Sequence, residues 1–241
     1  MRKKASSLVC LCLVWGWAGL AAESSVYTVC QLPGAPAIDG KLDDPAWRDI
    51  PEAAGFHILL DEGYDLQNKS YFRAGWTKDA LYVAGICSQA DADKLPVPLM
   101  NSENLYQSDC VEIHVSPTKG EAKYQFIINP KGAKWSNGCP LDSWKVNVTA
   151  TKNGWSFEAE IPFSALNNKP ADKNAWRVNL SRYIAADARY DTWAPGIRNF
   201  HDVDNYGSFA FVEQSASPEL KAKIEALLNT EYLSELKKSG D

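Results

Sequence analysis

The hydrophobic pattern of this chain repeats every second residue, in short bursts. In Cys110–Ser116 (CVEIHVS), Val111, Ile113 and Val115 share one face while Glu112 and His114 share the other. In Lys123–Asn129 (KYQFIIN), Tyr124, Phe126 and Ile128 alternate with Gln125 and Asn129. Such alternation marks strands with one buried face. Strand character recurs in Val26–Gln31, Ser70–Thr77, Ala80–Ser88, Lys145–Thr151, Gly154–Ile161, Trp176–Tyr183 and Ser208–Glu213. Lys78-Asp79 turns the chain between two of these segments. Many short strands with little helix between them predict an all-β fold, an antiparallel β-sandwich of the immunoglobulin-like or jelly-roll-like kind.

The period changes at the end of the chain. In SPELKAKIEALLNTEYLSELKK, Ser217 is placed to cap a helix, Pro218 suits its first position and Glu219 its first turn. Leu220, Ile224, Leu227 and Leu228, continued by Leu236, predict an apolar stripe along one amphipathic helix. That helix either packs on the sandwich or docks a partner.

The beginning reads as a targeting segment. Arg2, Lys3 and Lys4 precede an apolar run from Leu8 to Leu20, and the small residues Gly19, Ala21 and Ala22 follow. This is the layout of a cleaved signal peptide, with the mature chain starting near Ala22 or Glu23. The rival, a retained membrane anchor, suits the run less well because it is short for a full span. The expected organisation is a signal peptide over 1–22, a sandwich domain over 23–214 and a helical extension over 215–241. The expected location is secreted or periplasmic.

Bulk composition narrows the function classes. Of 241 residues, 45% are hydrophobic and 23% charged, which describes an ordinary globular chain. The net charge of −5 and the lack of a long basic patch speak against nucleic acid as a partner. Nine tryptophans and ten tyrosines belong mostly in a core, with a minority left to form a binding surface. After loss of Cys10 and Cys12, four cysteines remain: Cys30, Cys87, Cys110 and Cys139. In an exported chain these suggest two disulfides in one of three pairings. Neighbouring antiparallel strand ends favour Cys87 with Cys110, leaving Cys30 for Cys139; four buried thiols are the alternative. No CxxC pair supports zinc or thioredoxin chemistry. HExxH, GxSxG and GxGxxG are absent, and no carboxylate pair stands out for glycosidase chemistry. The balance favours binding over catalysis.

An ordered series of motifs adds a resemblance. It comprises IDGKLDDPAW (Ile38 to Trp47), WTKDALYVAGI (Trp76 to Ile86), SDCVEIHVSP (Ser108 to Pro117), KYQFIINPKG (Lys123 to Gly132), GWSFEAEIPFSAL (Gly154 to Leu166), WRVNLSRY (Trp176 to Tyr183), TWAP (Thr192 to Pro195) and YGSFAF (Tyr206 to Phe211). In order and spacing the set resembles the family 9 carbohydrate-binding modules, relatives of the DOMON-type sandwiches, over about residues 26 to 213. Most motif residues read as architecture, with Trp47, Trp76, Trp155 and Trp176 expected in the core.

The resemblance implies a non-catalytic module that binds polysaccharide or oligosaccharide and supports glycoside hydrolases. It implies a sugar clamped between two aromatic rings, here Tyr106 and Trp193, with Glu112 beside them. The best-known members carry Trp where this chain has Tyr106. Arg182 matches the family's WxxNxxR position. Strand parity adds Gln125 and Asn129 to the face of Glu112, and Trp135 and Trp144 extend the candidate platform. No cofactor is required on this reading. Family members often bind calcium, for which Asp61-Glu62 and Asp202-Val203-Asp204 offer oxygens. Two alternatives share the scaffold. One is a DOMON-type b-haem electron-transfer module, whose axial ligands would come from Met100, His57, His114 and His201. The other is an interaction protein that has lost the sugar site.

Overall fold

The computed structural model describes residues 25–61, 63–118, 123–171 and 173–240. The expected signal peptide, with Arg2 to Ala22, Cys10 and Cys12, lies outside them. The described chain forms thirteen strands: β1 (Val26–Gln31), β2 (Glu52–Ala54), β3 (His57–Ile58), β4 (Ser70–Trp76), β5 (Ala80–Ser88), β6 (Cys110–Ser116), β7 (Tyr124–Ile128), β8 (Lys134–Asn137), β9 (Lys145–Thr151), β10 (Gly154–Pro162), β11 (Ala175–Ile184), β12 (Arg189–Thr192) and β13 (Gly207–Ser215). One long helix follows, α1 (Pro218–Ser239).

The strands join in one path, β8-β7-β6-β11-β13-β1-β4-β5-β10-β9, with β12, β2 and β3 paired at the side. The path folds over a shared core, sandwich-fashion. Val111, Ile113, Phe126, Val178 and Leu180 from one half meet Phe72, Leu81, Val83, Phe157 and Ile161 from the other. Trp47, Trp76, Trp155 and Trp176 are all buried, as their motifs predict. The expectation of a purely antiparallel sandwich is corrected at β1, which runs parallel to both β13 and β4. A strand reached from the far end of the chain need not reverse direction as a hairpin partner must.

The IDGKLDDPAW motif is fastened by a buried carboxylate. Glu158 Oε1 accepts from the Trp47 indole at 2.7 Å, and Oε2 accepts from the backbone N–H of Asp39 at 3.0 Å and of Gly40 at 2.8 Å. Three donors make a fully buried charge tolerable there.

The helix is seated by polar as well as apolar contacts. Ser217 caps it, accepting from Leu220 N at 3.2 Å. Ile224, Asn229 and Tyr232 are buried, whereas Leu227 is exposed, so the seated stripe runs 220, 224, 228, 232 and excludes Leu227. Asn229 accepts from Ala54 N at 2.8 Å and donates to Glu52 O at 2.7 Å, and Glu225 accepts from Glu52 N at 2.8 Å. The helix thus satisfies the outer edge of β2 with side chains.

The two expected disulfides are not formed: Cys30, Cys87, Cys110 and Cys139 are free thiols. Cys110 lies on the side of β6 away from the main core, packed with Leu105 and Ile127, while Cys87 faces the main core. Cys30 belongs to a separate cluster with Trp47, and Cys139 packs at the edge of the main core. Burial pushes the Cys30 thiol up to about 11 and raises Cys87 and Cys110 as well.

Candidate functional site

On β6 the alternation that sends Val111, Ile113 and Val115 inward turns Glu112 and His114 to the other face of the sheet. That face is also covered, by the loop 199–206 with Phe200, His201 and Tyr206. The loop is self-braced: Asp202 accepts from Arg198 N at 3.1 Å and from the Asn205 amide at 3.0 and 3.1 Å, and Asn199 accepts from His201 N at 2.9 Å. Glu112, on the same face, is only 4% exposed.

Beside this loop opens a cleft of about 500 Å³, whose lining includes Tyr106, Glu112, Gln125, Trp135, Tyr190 and Phe200. Its floor is read directly from strand pairing. Glu112 stands opposite Ile127 on β7 and Ser181 on β11, and Ile127 stands opposite Trp135 on β8. Trp135 on β8 and Tyr190 on β12 are therefore four strand spacings apart, about 19 Å at the usual interstrand distance. A polar floor is flanked by aromatic rings.

Each ring has a local reason for its position. Tyr106 sits in a 3-10 turn, Glu103–Gln107, capped by Ser102, which accepts from Asn104 N at 3.2 Å. Leu105 is buried against Cys110, Ile127 and Ala133, which leaves Tyr106 outward and 47% exposed. Tyr190 stacks on Tyr183 with centroids 4.5 Å apart and meets Phe200 edge-on at 5.7 Å.

The floor carboxylate is oriented from within the protein. Gln125 Nε2 donates to Glu112 Oε2 at 2.6 Å. His114 Nε2 lies 3.1 Å from the same oxygen, off the line of a hydrogen bond. His201 meets His114 edge-on at 5.5 Å; burial, then His114, hold its pKa below the ordinary histidine value. The arrangement offers stacking faces and hydrogen-bonding groups to a polar ligand, with no activated nucleophile in the lining.

Of the six residues the sequence singles out, the structure brings Tyr106, Glu112 and Gln125 together at this cleft. It places the other three elsewhere. Trp193 is 5% exposed and lies in the core with Phe72 and Phe209. A Cβ on Gly207 would come within 2.5 Å of its ring, so that glycine makes its seat. Arg182 pairs with Val111 and so projects from the opposite face to Glu112. It is buried and donates to Asn68 O and Ser70 Oγ at 3.0 Å, Ser88 O at 2.9 Å and Gln89 Oε1 at 3.0 Å, tying β11 to β4 and β5. Asn129 closes the turn into β8, accepting from Lys131 N at 3.1 Å and Ala133 N at 3.0 Å and donating to Pro98 O at 2.6 Å. Trp144 is buried, whereas Trp135 reaches the cleft.

Tyr190 and Phe200 are the rings that sequence reasoning missed. Their signal is an aromatic on either side of the TWAP segment, outside any long strand.

The acidic loops are engaged within the protein. Asp202 is occupied by N–H donors, Asp61 accepts from Gly63 N at 3.0 Å, and Glu62 lies outside the described residues. Among the described residues no group of three or more His, Cys, Asp or Glu side chains is placed to hold a metal. Met100, needed for the haem alternative, is 79% exposed and lines neither this cleft nor the smaller one behind it.

Comparison with solved structures gives the same fold at low identity. A family 9 carbohydrate-binding module from Caldicellulosiruptor kristjanssonii, in complex with cellotriose, superposes with a TM-score of 0.62 at 19% identity, covering 79% of this chain and 95% of that one. The glucose complex of a family 9 module from the same organism gives 0.62 at 18% identity, with coverage of 80% and 98%. A putative carbohydrate-binding protein from Bacteroides uniformis gives 0.63 at 18%, with coverage of 78% and 99%. No curated protein matches the chain. The family model described as carbohydrate family 9 binding domain-like matches residues 38–214. That match spans most of the chain and nearly all of the sheet, so the protein belongs to the family 9 carbohydrate-binding modules, which are binding modules and not enzymes.

Proposed function

We propose that the cleft over β6 binds carbohydrate, an oligosaccharide or a polysaccharide segment, and that the chain holds its ligand without breaking bonds in it. The observation that carries this reading is the fixed Glu112–Gln125 pair, 2.6 Å apart, on a floor flanked by Tyr106, Trp135, Tyr190 and Phe200. A pyranose has an apolar C–H face that stacks on such rings, while its hydroxyls require charged or amide partners once water is removed. Relatives of the same fold are described with cellotriose and with glucose, which makes those sugars the first to try. The Lys/Arg start and apolar run of residues 1–22 support export, to work on glycan alongside glycoside hydrolases. The intact mass of the exported protein checks this: it begins at Ala22 or Glu23, and a retained Met1 refutes it.

Calorimetric titration with cellotriose and glucose tests the site. Truncating an aromatic hot spot costs about 2 kcal/mol, roughly a thirtyfold loss of affinity. Tyr106→Ala and Phe200→Ala each weaken binding by that order, while Tyr106→Trp holds or raises it. A panel of neutral glycans that shows no binding, or binding indifferent to both rings, overturns the assignment.

A further inference from the structure

The charge inventory of the cleft points to a narrower ligand class. Its lining carries two carboxylates, Glu103 and Glu112, one imidazole, His201, which burial and then His114 hold below the ordinary histidine value, and neither Lys nor Arg. The nearby cations are directed elsewhere. Lys134 donates to Trp144 O at 2.6 Å and lies 4.6 Å over the Trp144 ring; Arg189 pairs with Asp65 at 2.9 Å; Arg177 donates to Tyr206 O at 2.9 Å. Lys123 and Arg198 are exposed and outside this lining. Glu112 meets a neutral amide donor at 2.6 Å and the His114 ring at 3.1 Å, with no Lys or Arg opposed to it.

From this, and resting on the carbohydrate reading above, we propose that the cleft prefers amino sugars, hexosamine units with a free protonated amine, over neutral sugars of the same shape, and rejects uronates. An ammonium group brings a full opposite charge to a buried carboxylate along with its hydrogen bond, whereas a hydroxyl brings the bond alone. The same cation is favoured over the faces of Trp, Tyr and Phe rings. A uronate brings a third carboxylate to Glu103 and Glu112 with no Lys or Arg in the lining to offset it.

Three β-1,4-linked trisaccharides that differ only at C2 make the test: cellotriose with a hydroxyl, the glucosamine trimer with an amine, and the N-acetylglucosamine trimer with a neutral amide. Titrations at about pH 5.5 keep the amines protonated, since a comparable α-amine loses its proton near about 7.7 and neighbouring ammonium groups on one trimer lower each other's values. The glucosamine trimer binds about tenfold more tightly than cellotriose, the acetylated trimer loses that gain, and glucuronate shows no binding. Glu112→Gln collapses the ratio between amine and hydroxyl ligands, whatever it does to each affinity. Glu103→Gln reduces the ratio in part, and added salt reduces it further. Cellotriose binding as well as or better than the glucosamine trimer overturns the amino-sugar preference and leaves the carbohydrate reading intact. Failure of all three trisaccharides to bind overturns the carbohydrate reading and this inference with it.

Discussion

The indole of Trp193 meets the ring of Phe72 edge to face, with centroids 5.1 Å apart and planes at 84°. This contact belongs to the core, and it separates two aromatic roles that the TWAP motif leaves merged. Trp193→Ala removes a large buried side chain above Gly207, a change that costs about 3–5 kcal/mol. Thermal melts show a fall of roughly 10 °C for a domain of this size. Tyr106→Ala, at an exposed position, leaves the melting temperature nearly unchanged. Equal melting temperatures for wild type and Trp193→Ala would contradict the core placement.

Two buried carboxyls give the second prediction. Asp191 and Asp65 are both inaccessible, and neither carboxyl oxygen of Asp191 has a hydrogen-bond partner. Burial, then the charge of Asp65, pushes Asp191 up to about 8, against the pull of Arg182 and Arg189. Burial alone would raise Asp65 too, but the Asn68 N–H and Arg189 hold it low. For Asp191 the folded state binds the proton more tightly than the unfolded state does. Its stabilising contribution is complete below the unfolded value, about 3.9, and is lost as pH rises through about 8. Asp191→Asn removes that dependence. In urea titrations at several pH values, wild type loses stability between about pH 4 and pH 8 relative to Asp191→Asn. A constant difference across that range would refute the raised Asp191 carboxyl.

The helix provides the third. Asn229 bonds both to Ala54 N and to Glu52 O, taking the place of a neighbouring strand on β2. Asn229→Ala leaves a donor and an acceptor unsatisfied and costs about 1–3 kcal/mol, read from the urea midpoint. Removing residues 218–241 bares the β2 edge, and an unprotected edge is a template for pairing. Light scattering on that truncation shows concentration-dependent self-association. A strictly monomeric truncation would show that the edge does not need its cover.

Much of the fold is legible in the sequence because alternation on β6, β7 and β10 extends over several residues. β2, β3, β8 and β12 span only two to four residues each, too few to establish a period. Gln125 comes from parity alone and Glu112 from the family resemblance, and parity exposes the error at Arg182. Trp176, Val178 and Leu180 are core residues two apart, and Arg182 continues their series rather than that of Glu112. Alternation does not say what covers the second face, so the burial of Glu112 and His114 under residues 199–206 could not be read from β6. Trp193, Tyr190 and Phe200 lie in or beside a short strand, where only three-dimensional packing decides which ring turns inward.

β1 contributes two residues to its pairing with β4 but six to its pairing with β13, and Val26 lies against Ser208. Its principal partner is encoded roughly 180 residues downstream, a separation that makes closure slow relative to local pairing. On a ribosome adding about 5–20 residues per second, that partner arrives on the order of ten seconds or more after β1 has been made. Until then β1 carries an open ladder, and the two halves of the sheet lack the strand that joins them. The timetable of this fold is therefore set by its last strand: synthesis of Gly207–Ser215 is the event that lets the first segment of the sheet lock.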